Sequence, residues 1–299
     1  MNRRDFLKRA AGSAVSLGAL GRGFAAAAPE PGKGDTRVTT ELKKAVMLAM
    51  LPTTGTMEDR FKLARDLGFQ GLEVPPTSDP DEARTMREAA RNVGIELHSV
   101  MYGGWHAPLS SADPDIAQKG ADGIAKALES AKELGADGVL LVPAVVNEKT
   151  RYIEAYERSQ KHLAKLAPVA EKLKVRILVE DVWNNFLLSP IEFARYIDEI
   201  KCPWVQAYFD VGNVLAFGWP EDWIRTLAGR IKKVHLKDFK KGQRQFVNLR
   251  DGDVNWPEVR KALHEVGYTG FLTAELQGGD EAYLRDLSAR MDMIINEKT

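Results

Sequence analysis

Short apolar stretches alternate with amphipathic helical stretches in eight successive pairs, and this alternation restricts the fold more than any other feature. The first pair is a predicted strand at 45–50 followed by a helix at 57–67, and the last is a strand at 271–275 followed by a helix at 280–295. Strands separated by helices of this length pair in parallel. Four of the predicted helices end at a glycine, which adopts positive φ without steric cost: Gly68, Gly94, Gly135 and Gly267.

The eight pairs favour a closed barrel over an open doubly wound sheet. A nucleotide-binding open sheet would carry Gly-x-Gly-x-x-Gly after its first strand or a phosphate-loop lysine motif, and the sequence has neither. A single (β/α)8 barrel takes about 250 residues, which fits a chain of 299 residues. We therefore predict an α/β fold with one TIM barrel over residues 44–299.

Four of the later predicted strands end at residues that a buried strand rarely carries. These residues, spaced 30, 25 and 40 positions apart, are Glu180, Asp210, His235 and Glu275. A lone carboxylate at a strand end is often a helix cap or an ion-pair partner. In a closed barrel, however, the carboxyl ends of successive strands surround one opening, so the four converge. Two Glu, one Asp and one His suit one divalent metal ion such as Mn, Mg, Co or Zn.

The first 28 residues read as a targeting segment rather than as part of the fold. Arg3 and Arg4 precede a weakly apolar stretch at 10–20, and four alanines at 25–28 offer a cleavage site. This pattern resembles a twin-arginine export signal and predicts a periplasmic or secreted protein. The stretch is too short and too rich in Gly, Ser and Ala for a stable membrane span. A basic tail is the alternative, and residues 29–43 read as a linker.

The charge balance argues against a nucleic-acid partner. The chain has 42 basic and 42 acidic residues; without the five basic residues and one acidic residue of the targeting segment, 37 and 41 remain, a net charge of −4. No basic excess is left to attract phosphate backbones. A small-molecule carbohydrate fits better as the partner, and the sequence leaves a homo-oligomer open.

The motifs at the strand ends carry a resemblance to a known family. Glu180 ends the fifth strand, Asp-x-Gly-Asn starts at 210, His-x-Lys-Asp starts at 235 and Ala-Glu lies at 274–275. Together they resemble the xylose-isomerase-like barrel superfamily over roughly residues 44–295. That group includes sugar isomerases and epimerases, hydroxypyruvate isomerase, inosose dehydratase and apurinic-endonuclease-type barrels.

The resemblance implies both the metal ligands and the reaction. It implies metal ligation by Glu180, Asp210, His235 and Glu275. In the isomerases and epimerases the two Glu also act as general bases on opposite faces of the substrate. We therefore expect a metal-dependent sugar or polyol isomerase or epimerase that abstracts a proton next to a carbonyl and works through an enediolate.

Two alternatives stay open, and the motifs depart from the family in two places. Asn213 stands where some ketose epimerases have a histidine, and the family's Glu-Pro-x-Asn pattern becomes Glu180-Asp-Val-Trp, with Asn184 retained. The alternatives are a lyase or dehydratase acting on a keto-sugar, keto-glycoside or inosose, and a non-catalytic periplasmic sugar-binding barrel. An endonuclease would need many His ligands for three zinc ions, and this chain has five His.

Further side chains are candidates for contact with the substrate. Lys237 lies two residues after His235, on the same side of the strand, and we predict a catalytic role as a cation or proton donor. His98 is a candidate contact or, equally, a hydrogen-bonded core histidine. The loop at 277–280 could offer backbone N–H groups to a phosphate. The predicted substrate-binding residues are Glu73, His98, His106, Trp183, Asn184 and Asn213.

Overall fold

Eight parallel strands close into a barrel in the computed structural model, which describes residues 42–296. The predicted export signal at 1–28 and most of the predicted linker lie outside the described residues. The barrel strands are β1 Lys43–Met47, β2 Gly71–Val74, β3 Glu96–Gly103, β4 Gly138–Leu141, β5 Arg176–Glu180, β6 Val205–Asp210, β7 Ile231–Leu236 and β10 Phe271–Ala274. Neighbours in sequence are neighbours in the barrel, and β10 closes the ring against β1. The predicted single (β/α)8 barrel is confirmed.

Helices follow the strands around the outside of the barrel. They are α1 Met57–Asp66, α2 Pro80–Val93, α3 Pro114–Leu134, α4 Tyr152–Leu173, α5 Pro190–Ile200, α6 Val211–Val214, α7 Pro220–Leu227, α8 Trp256–Glu265 and α9 Glu281–Asn296. Glycines end helices as predicted: Gly94 and Gly135 follow α2 and α3 with positive φ of 76° and 83°. None of the described helices is both long and apolar enough to cross a membrane.

The interior of the barrel is filled by side chains that alternate with those facing the helices. Leu178 lies two residues before Glu180, and Tyr208 lies two residues before Asp210. Successive side chains on a strand point to opposite faces, so each apolar side chain shares a face with the carboxylate at its strand end. Leu178 and Tyr208 pack with Leu140 in a small cluster of their own. This cluster forms an apolar floor below the acidic strand ends.

The first strand is shorter than predicted. The stretch at 45–50 was expected to be one strand, but β1 ends at Met47 and a 3-10 turn follows at Leu48–Met50. Arg60 stabilises this turn: its Nε donates to the carbonyl of Pro52 at 2.8 Å and its NH2 to that of Leu48 at 2.9 Å. The apolar pattern alone predicts that the strand continues to residue 50. Instead, the guanidinium of Arg60 in α1 binds the carbonyls of Leu48 and Pro52.

A small antiparallel hairpin interrupts the connection after β7. Its strands, β8 Asp238–Lys240 and β9 Gln245–Val247, pair antiparallel, and we call residues 238–247 the mouth hairpin. Asp238 anchors it. The Oδ1 atom accepts from the backbone N–H groups of Phe239 and Val254 at 2.9 and 3.2 Å, and Oδ2 accepts from Arg250 N and Trp256 Nε1 at 2.8 and 3.0 Å.

The anchor requires a glycine beside it. A Cβ at Gly252 would lie 2.0 Å from Asp238 Oδ1, so any other residue there would displace the carboxylate. Asp238 is itself fully buried. The last residue of the His-x-Lys-Asp motif therefore holds the hairpin.

Candidate metal centre and active site

Four side chains from different strands meet at the carboxyl end of the barrel, and we call them the metal centre: Glu180, Asp210, His235 and Glu275. One ligand atom from each lies within 4.8 Å of all the others. Glu180 and Asp210 end β5 and β6, His235 pairs with Asp210 in the register of β6 and β7, and Glu275 directly follows β10. The structure thus brings together the four residues that the sequence proposes as ligands.

The donor atoms of the metal centre suit a divalent cation. His235 Nδ1 lies 2.9 Å from Glu180 Oε1 and 2.7 Å from Glu275 Oε2. Asp210 Oδ2 and Glu275 Oε2 are buried without an aligned hydrogen bond. Buried carboxylate oxygens need a cation beside them, and here the Lys237 ammonium lies 3.1 and 2.8 Å from these two oxygens. Three carboxylates and one imidazole form a mixed oxygen and nitrogen set that Mn²⁺, Co²⁺ or Zn²⁺ accepts.

Glu73 holds the far side of the histidine ring. Its Oε2 lies 2.7 Å from His235 Nε2, and its Oε1 accepts a hydrogen bond from Ser99 Oγ at 2.7 Å. Burial alone would lower the pKa of His235, but the carboxylates around it raise that pKa, so without a metal the ring is a cation. When a metal ion replaces the Nδ1 proton, the proton on Nε2 stays donated to Glu73 and the Nδ1 lone pair faces the three carboxylates. Glu73 is 1% exposed. The sequence suggested a substrate contact for Glu73, but the structure places it behind His235.

The electrostatics of the two glutamates differ. Burial and the nearby charge of Glu275 raise the pKa of Glu180 to about 7. Burial alone would also raise the pKa of Glu275, but the positive charges of His235 and Lys237 outweigh it and lower that pKa below its usual value. Paired carboxyls whose pKa values are pushed apart are suited to hold and to accept a proton, respectively.

Lys237 reaches the metal centre from the end of β7. Its Nζ lies 3.1 Å from Asp210 Oδ2 and 2.8 Å from Glu275 Oε2. Burial alone would lower the pKa of Lys237, but Asp210 and Glu275 raise it, so the ammonium stays charged. The close approach depends on Gly212, where a Cβ would lie 2.5 Å from Lys237 Cβ. Lys237 is therefore positioned to touch a substrate bound at the carboxylates.

Two asparagines proposed as substrate contacts instead connect the loops around the opening. Asn184 Nδ2 donates to the carbonyl of Ala144 at 2.8 Å, and its Oδ1 accepts from Phe186 N at 3.1 Å. Asn213 Nδ2 donates to the carbonyl of Asp181 at 2.9 Å. Both side chains are buried. Their amides fix the segments that directly follow Glu180 and Asp210, which is a supporting role.

Two predicted histidine contacts lie away from the metal centre. His98 is buried, stacks on Phe271 at 4.2 Å and contacts Thr273 Oγ1 at 3.1 Å. Burial lowers its pKa well below the usual value. These are the contacts of the hydrogen-bonded core histidine that the sequence left open. His106 is exposed and lines a separate cavity with Tyr102 and residues of α3, so the structure does not bring it to the opening.

Trp183 joins an aromatic cluster beside the opening. It stacks on Phe246 of the mouth hairpin with ring centroids 5.0 Å apart, and it meets Phe239 edge to face at 5.3 Å. Its Nε1 donates to the carbonyl of Asn213 at 3.0 Å. Trp183 thus supports Phe246, a residue that the sequence did not single out because the hairpin itself was not predicted. The hairpin strands of three residues each are too short to carry a signal in the sequence.

A cavity of about 870 Å³ opens beside the metal centre. Two of the residues that line this cavity are Glu275 of the metal centre and Lys237, which contacts Glu275 at 2.8 Å. The remaining lining comes from the end of β1, the mouth hairpin and the segment after β10: Met47, Ala49, Met50, Phe246, Val247, Asn248, Leu276, Gln277, Gly278, Gly279, Asp280 and Tyr283. A substrate in this cavity would reach both charged groups.

Known proteins match this chain in sequence and in fold. The putative L-ribulose-5-phosphate 3-epimerase UlaE of Shigella dysenteriae serotype 1 is 28% identical over 264 residues, covering 81% of this chain and 92% of that protein. The crystal structure of a D-tagatose 3-epimerase-like protein superposes with a TM-score of 0.74 at 20% identity, covering 85% of this chain and 98% of the other. The zinc-bound structure of the IOLI protein superposes with a TM-score of 0.73 at 17% identity, covering 86% and 99%.

A family comparison covers most of the barrel. Residues 61–292 match the family described as xylose isomerase-like TIM barrel. The matched range includes all four residues of the metal centre together with Glu73 and Lys237. The sequence motifs at the strand ends, the closed ring of eight strands and this match agree. The chain belongs to the xylose isomerase-like TIM barrel family.

Proposed function

We propose that this protein is a metal-dependent sugar isomerase or epimerase that moves a proton at a carbon next to a carbonyl. The observation that carries the proposal is the convergence of Glu180, Asp210, His235 and Glu275, whose ligand atoms lie within 4.8 Å of one another. The sugar 3-epimerase identity of the sequence relative supports it. Bound at these four residues, a divalent ion would supply Lewis acidity for a carbonyl and its neighbouring hydroxyl.

Two carboxylates are available to move the proton. Glu180 and Glu275 stand on strands separated by β6 and β7, so they approach His235 Nδ1 from different strands. Glu275, with its lowered pKa, is ionised and can accept a proton from carbon. Glu180, the second carboxylate beside His235, can hold a proton and return it to the substrate. Return to the opposite face gives epimerisation, and return to the neighbouring carbon gives isomerisation.

Lys237 completes the arrangement as a fixed positive charge. Its Nζ lies within 3.1 Å of carboxylate oxygens of both Asp210 and Glu275. A charged ammonium beside the reacting carbon stabilises negative charge that develops on a substrate oxygen. It also keeps Glu275 ionised, and hence able to act as a base.

Solvent exchange measured by NMR tests the proposal directly. The full-length protein is incubated in D₂O with a panel of ketoses, keto-glycosides and inososes, with and without Mn²⁺. We expect metal-dependent loss of one C–H signal next to the carbonyl of at least one sugar. Product analysis then separates an epimerase or isomerase from a lyase, which would also release a leaving group. No exchange with any sugar, in protein that has bound Mn²⁺, would contradict the proposal.

Glu275→Gln is expected to slow this exchange about 10²–10⁴-fold, because the amide cannot accept the proton. Glu133→Gln, on the exposed surface, serves as the control. Metal content is measured at saturating Mn²⁺ so that loss of the ion is distinguished from loss of the base. A metal-loaded Glu275→Gln protein that exchanges at the wild-type rate would remove Glu275 from proton transfer.

A further inference from the structure

The cavity beside the metal centre is larger than a single small sugar needs. Ligand pockets span about 300–1,000 Å³, and this cavity of about 870 Å³ lies near the upper end of that range. Glu275 and Lys237 are the charged residues where the cavity meets the metal centre, so the reacting part of a substrate lies beside them. The space beyond them has room for a part of the substrate that does not react.

The usual phosphate position of such a barrel is already occupied by groups of the protein itself. Barrel phosphates bind at the loops after the last two strands and at a helix N-terminus. Here Gly279 N donates to the carbonyl of Met50 at 3.3 Å, and Asp280 Oδ1 accepts from Tyr283 N at 2.9 Å. The carboxylate of Asp280 therefore caps the start of α9, where it would repel a phosphate. The loop at 277–280, which the sequence suggested for a phosphate, is used internally.

The charges along the cavity also disfavour an anion. Among the described residues that line it, Lys237 is the single cation, against the carboxylates of Glu275 and Asp280. Lys237 is engaged by Asp210 and Glu275 at 3.1 and 2.8 Å. Away from the proposed metal ion, the remaining charged side chain of the described lining is Asp280, so a phosphate ester, with between one and two negative charges at neutral pH, would find no unpaired cation there.

One wall of the cavity is aromatic. Phe246 is 38% exposed, lines the cavity and stacks on Trp183. Its ring centroid lies 5.7 Å from Lys237 Nζ, so the ring begins one side chain away from the metal centre. Met50 and Leu276 also line the cavity, on the side of the loop at 277–280, where Gly279 N donates to the carbonyl of Met50. The aromatic wall favours the C–H face of a sugar ring or an aromatic ring over a charged group.

Building on the proposed function, we propose that the substrate is an uncharged keto-glycoside. Its keto-sugar ring lies at Glu275 and Lys237, and its glycosidic substituent lies along Phe246 in the large cavity. The anomeric carbon of a glycoside is an acetal, so the carbonyl that activates the C–H bond stands elsewhere on the ring. An enzyme that oxidises a ring hydroxyl of a glycoside must therefore supply this substrate.

Exchange kinetics with matched sugars test this inference. The Mn²⁺-loaded full-length protein is assayed with the phenyl and methyl 3-keto-β-D-glucopyranosides, and with L-ribulose and its 5-phosphate. We expect the highest kcat/KM for the phenyl keto-glycoside and at least a tenfold lower value for L-ribulose 5-phosphate. Phe246→Ala should raise KM for the phenyl compound about five- to tenfold more than for the methyl compound, the range for loss of a ring contact.

The control variants separate a ring contact from a general defect. Phe246→Tyr should restore the preference for the phenyl compound. Phe217→Ala should change neither KM, because Phe217 is equally exposed but lines another cavity. Preference for the sugar phosphate or the free ketose, or an equal effect of Phe246→Ala on both glycosides, overturns the inference and leaves the proposed function intact. Absence of exchange with all four compounds also overturns the inference, and the wider panel of ketoses, keto-glycosides and inososes then decides the proposed function.

Discussion

His235 is oriented by a buried carboxylate that is not itself one of the four proposed ligands. Glu73 contacts Nε2 at 2.7 Å, while Nδ1 faces Glu180 and Glu275. Carboxylates of this kind fix the tautomer of a ligating histidine and increase its basicity. Ser99 holds the other oxygen of Glu73, so the carboxylate cannot turn away freely. The orientation of the ligand thus depends on two residues of neighbouring strands β2 and β3.

Glu73→Ala is expected to weaken Mn²⁺ binding about 10–100-fold, because His235 loses the partner that directs its Nδ1 lone pair toward the carboxylates. Glu73→Gln, which keeps an acceptor but not the charge, should fall between that variant and the wild type. Isothermal titration calorimetry on metal-free protein gives the affinities, with Glu96→Gln on the exposed end of β3 as the control. Wild-type affinity in a folded Glu73→Ala protein would assign Glu73 to packing alone.

The residues that could be predicted are those whose position follows from the strand itself. Glu180 and Asp210 end apolar runs, so strand period and parallel packing are enough to bring them together. The contacts of Asn184 and Asn213 could not be predicted from strand period and parallel packing. Their partners are the carbonyls of Ala144 and Asp181, whose positions depend on how loops pack.

The mouth hairpin contributes Phe246 and Val247 to the lining of the cavity, and it was not predicted. Its strands have three residues each, too few to show a period of two. It is instead fixed from a distance, since Asp238 accepts from Arg250, Val254 and Trp256, which lie 12 to 18 residues later. Strands and helices of the barrel were predictable because each is long enough to carry its own pattern.

Asp238→Ala is expected to destabilise the protein by about 3 kcal/mol or more, because four donors lose their acceptor and buried unpaired donors cost about 1–3 kcal/mol each. Urea unfolding measures the loss. Trypsin should also cut faster at Lys240, Lys241 and Arg244 as the hairpin loosens. Asp253→Ala is the matched control, since Asp253 accepts one exposed hydrogen bond from Lys241 N. If the two substitutions lowered the free energy of unfolding equally and sped up cleavage equally, Asp238 would not be the anchor of the hairpin.

At the scale of the whole molecule, closure of the ring creates the site. β1 pairs with β10 across more than 220 residues, with Lys43 opposite Phe271 and Val46 opposite Ala274. No local pattern specifies this pairing, but eight parallel units leave a barrel as the arrangement without exposed edges. Ligands carried by β5, β6, β7 and the end of β10 then meet because they surround the same opening.

Export by the twin-arginine route remains a prediction, and it bears on which ion the barrel holds. That route carries folded proteins, so the metal centre would be assembled in the cytoplasm. The four ligands suit several divalent ions whose affinities follow a common order, with Cu²⁺ and Zn²⁺ bound more tightly than Mn²⁺. Folding before export would let the cytoplasmic supply, rather than this order, decide the ion.

Replacing Arg3 and Arg4 by lysine is expected to keep the protein in the cytoplasm, because the lysine pair retains the charge but not the twin-arginine signal. Cell fractionation measures the distribution, and Arg9→Lys with Arg22→Lys is the matched control in the same segment. The retained barrel should be folded and should carry the same metal as the exported wild type, since the ion is bound before transport. A different metal in the exported protein would show that the centre exchanges its ion outside the cytoplasm, and wild-type export of the lysine pair would contradict the twin-arginine assignment.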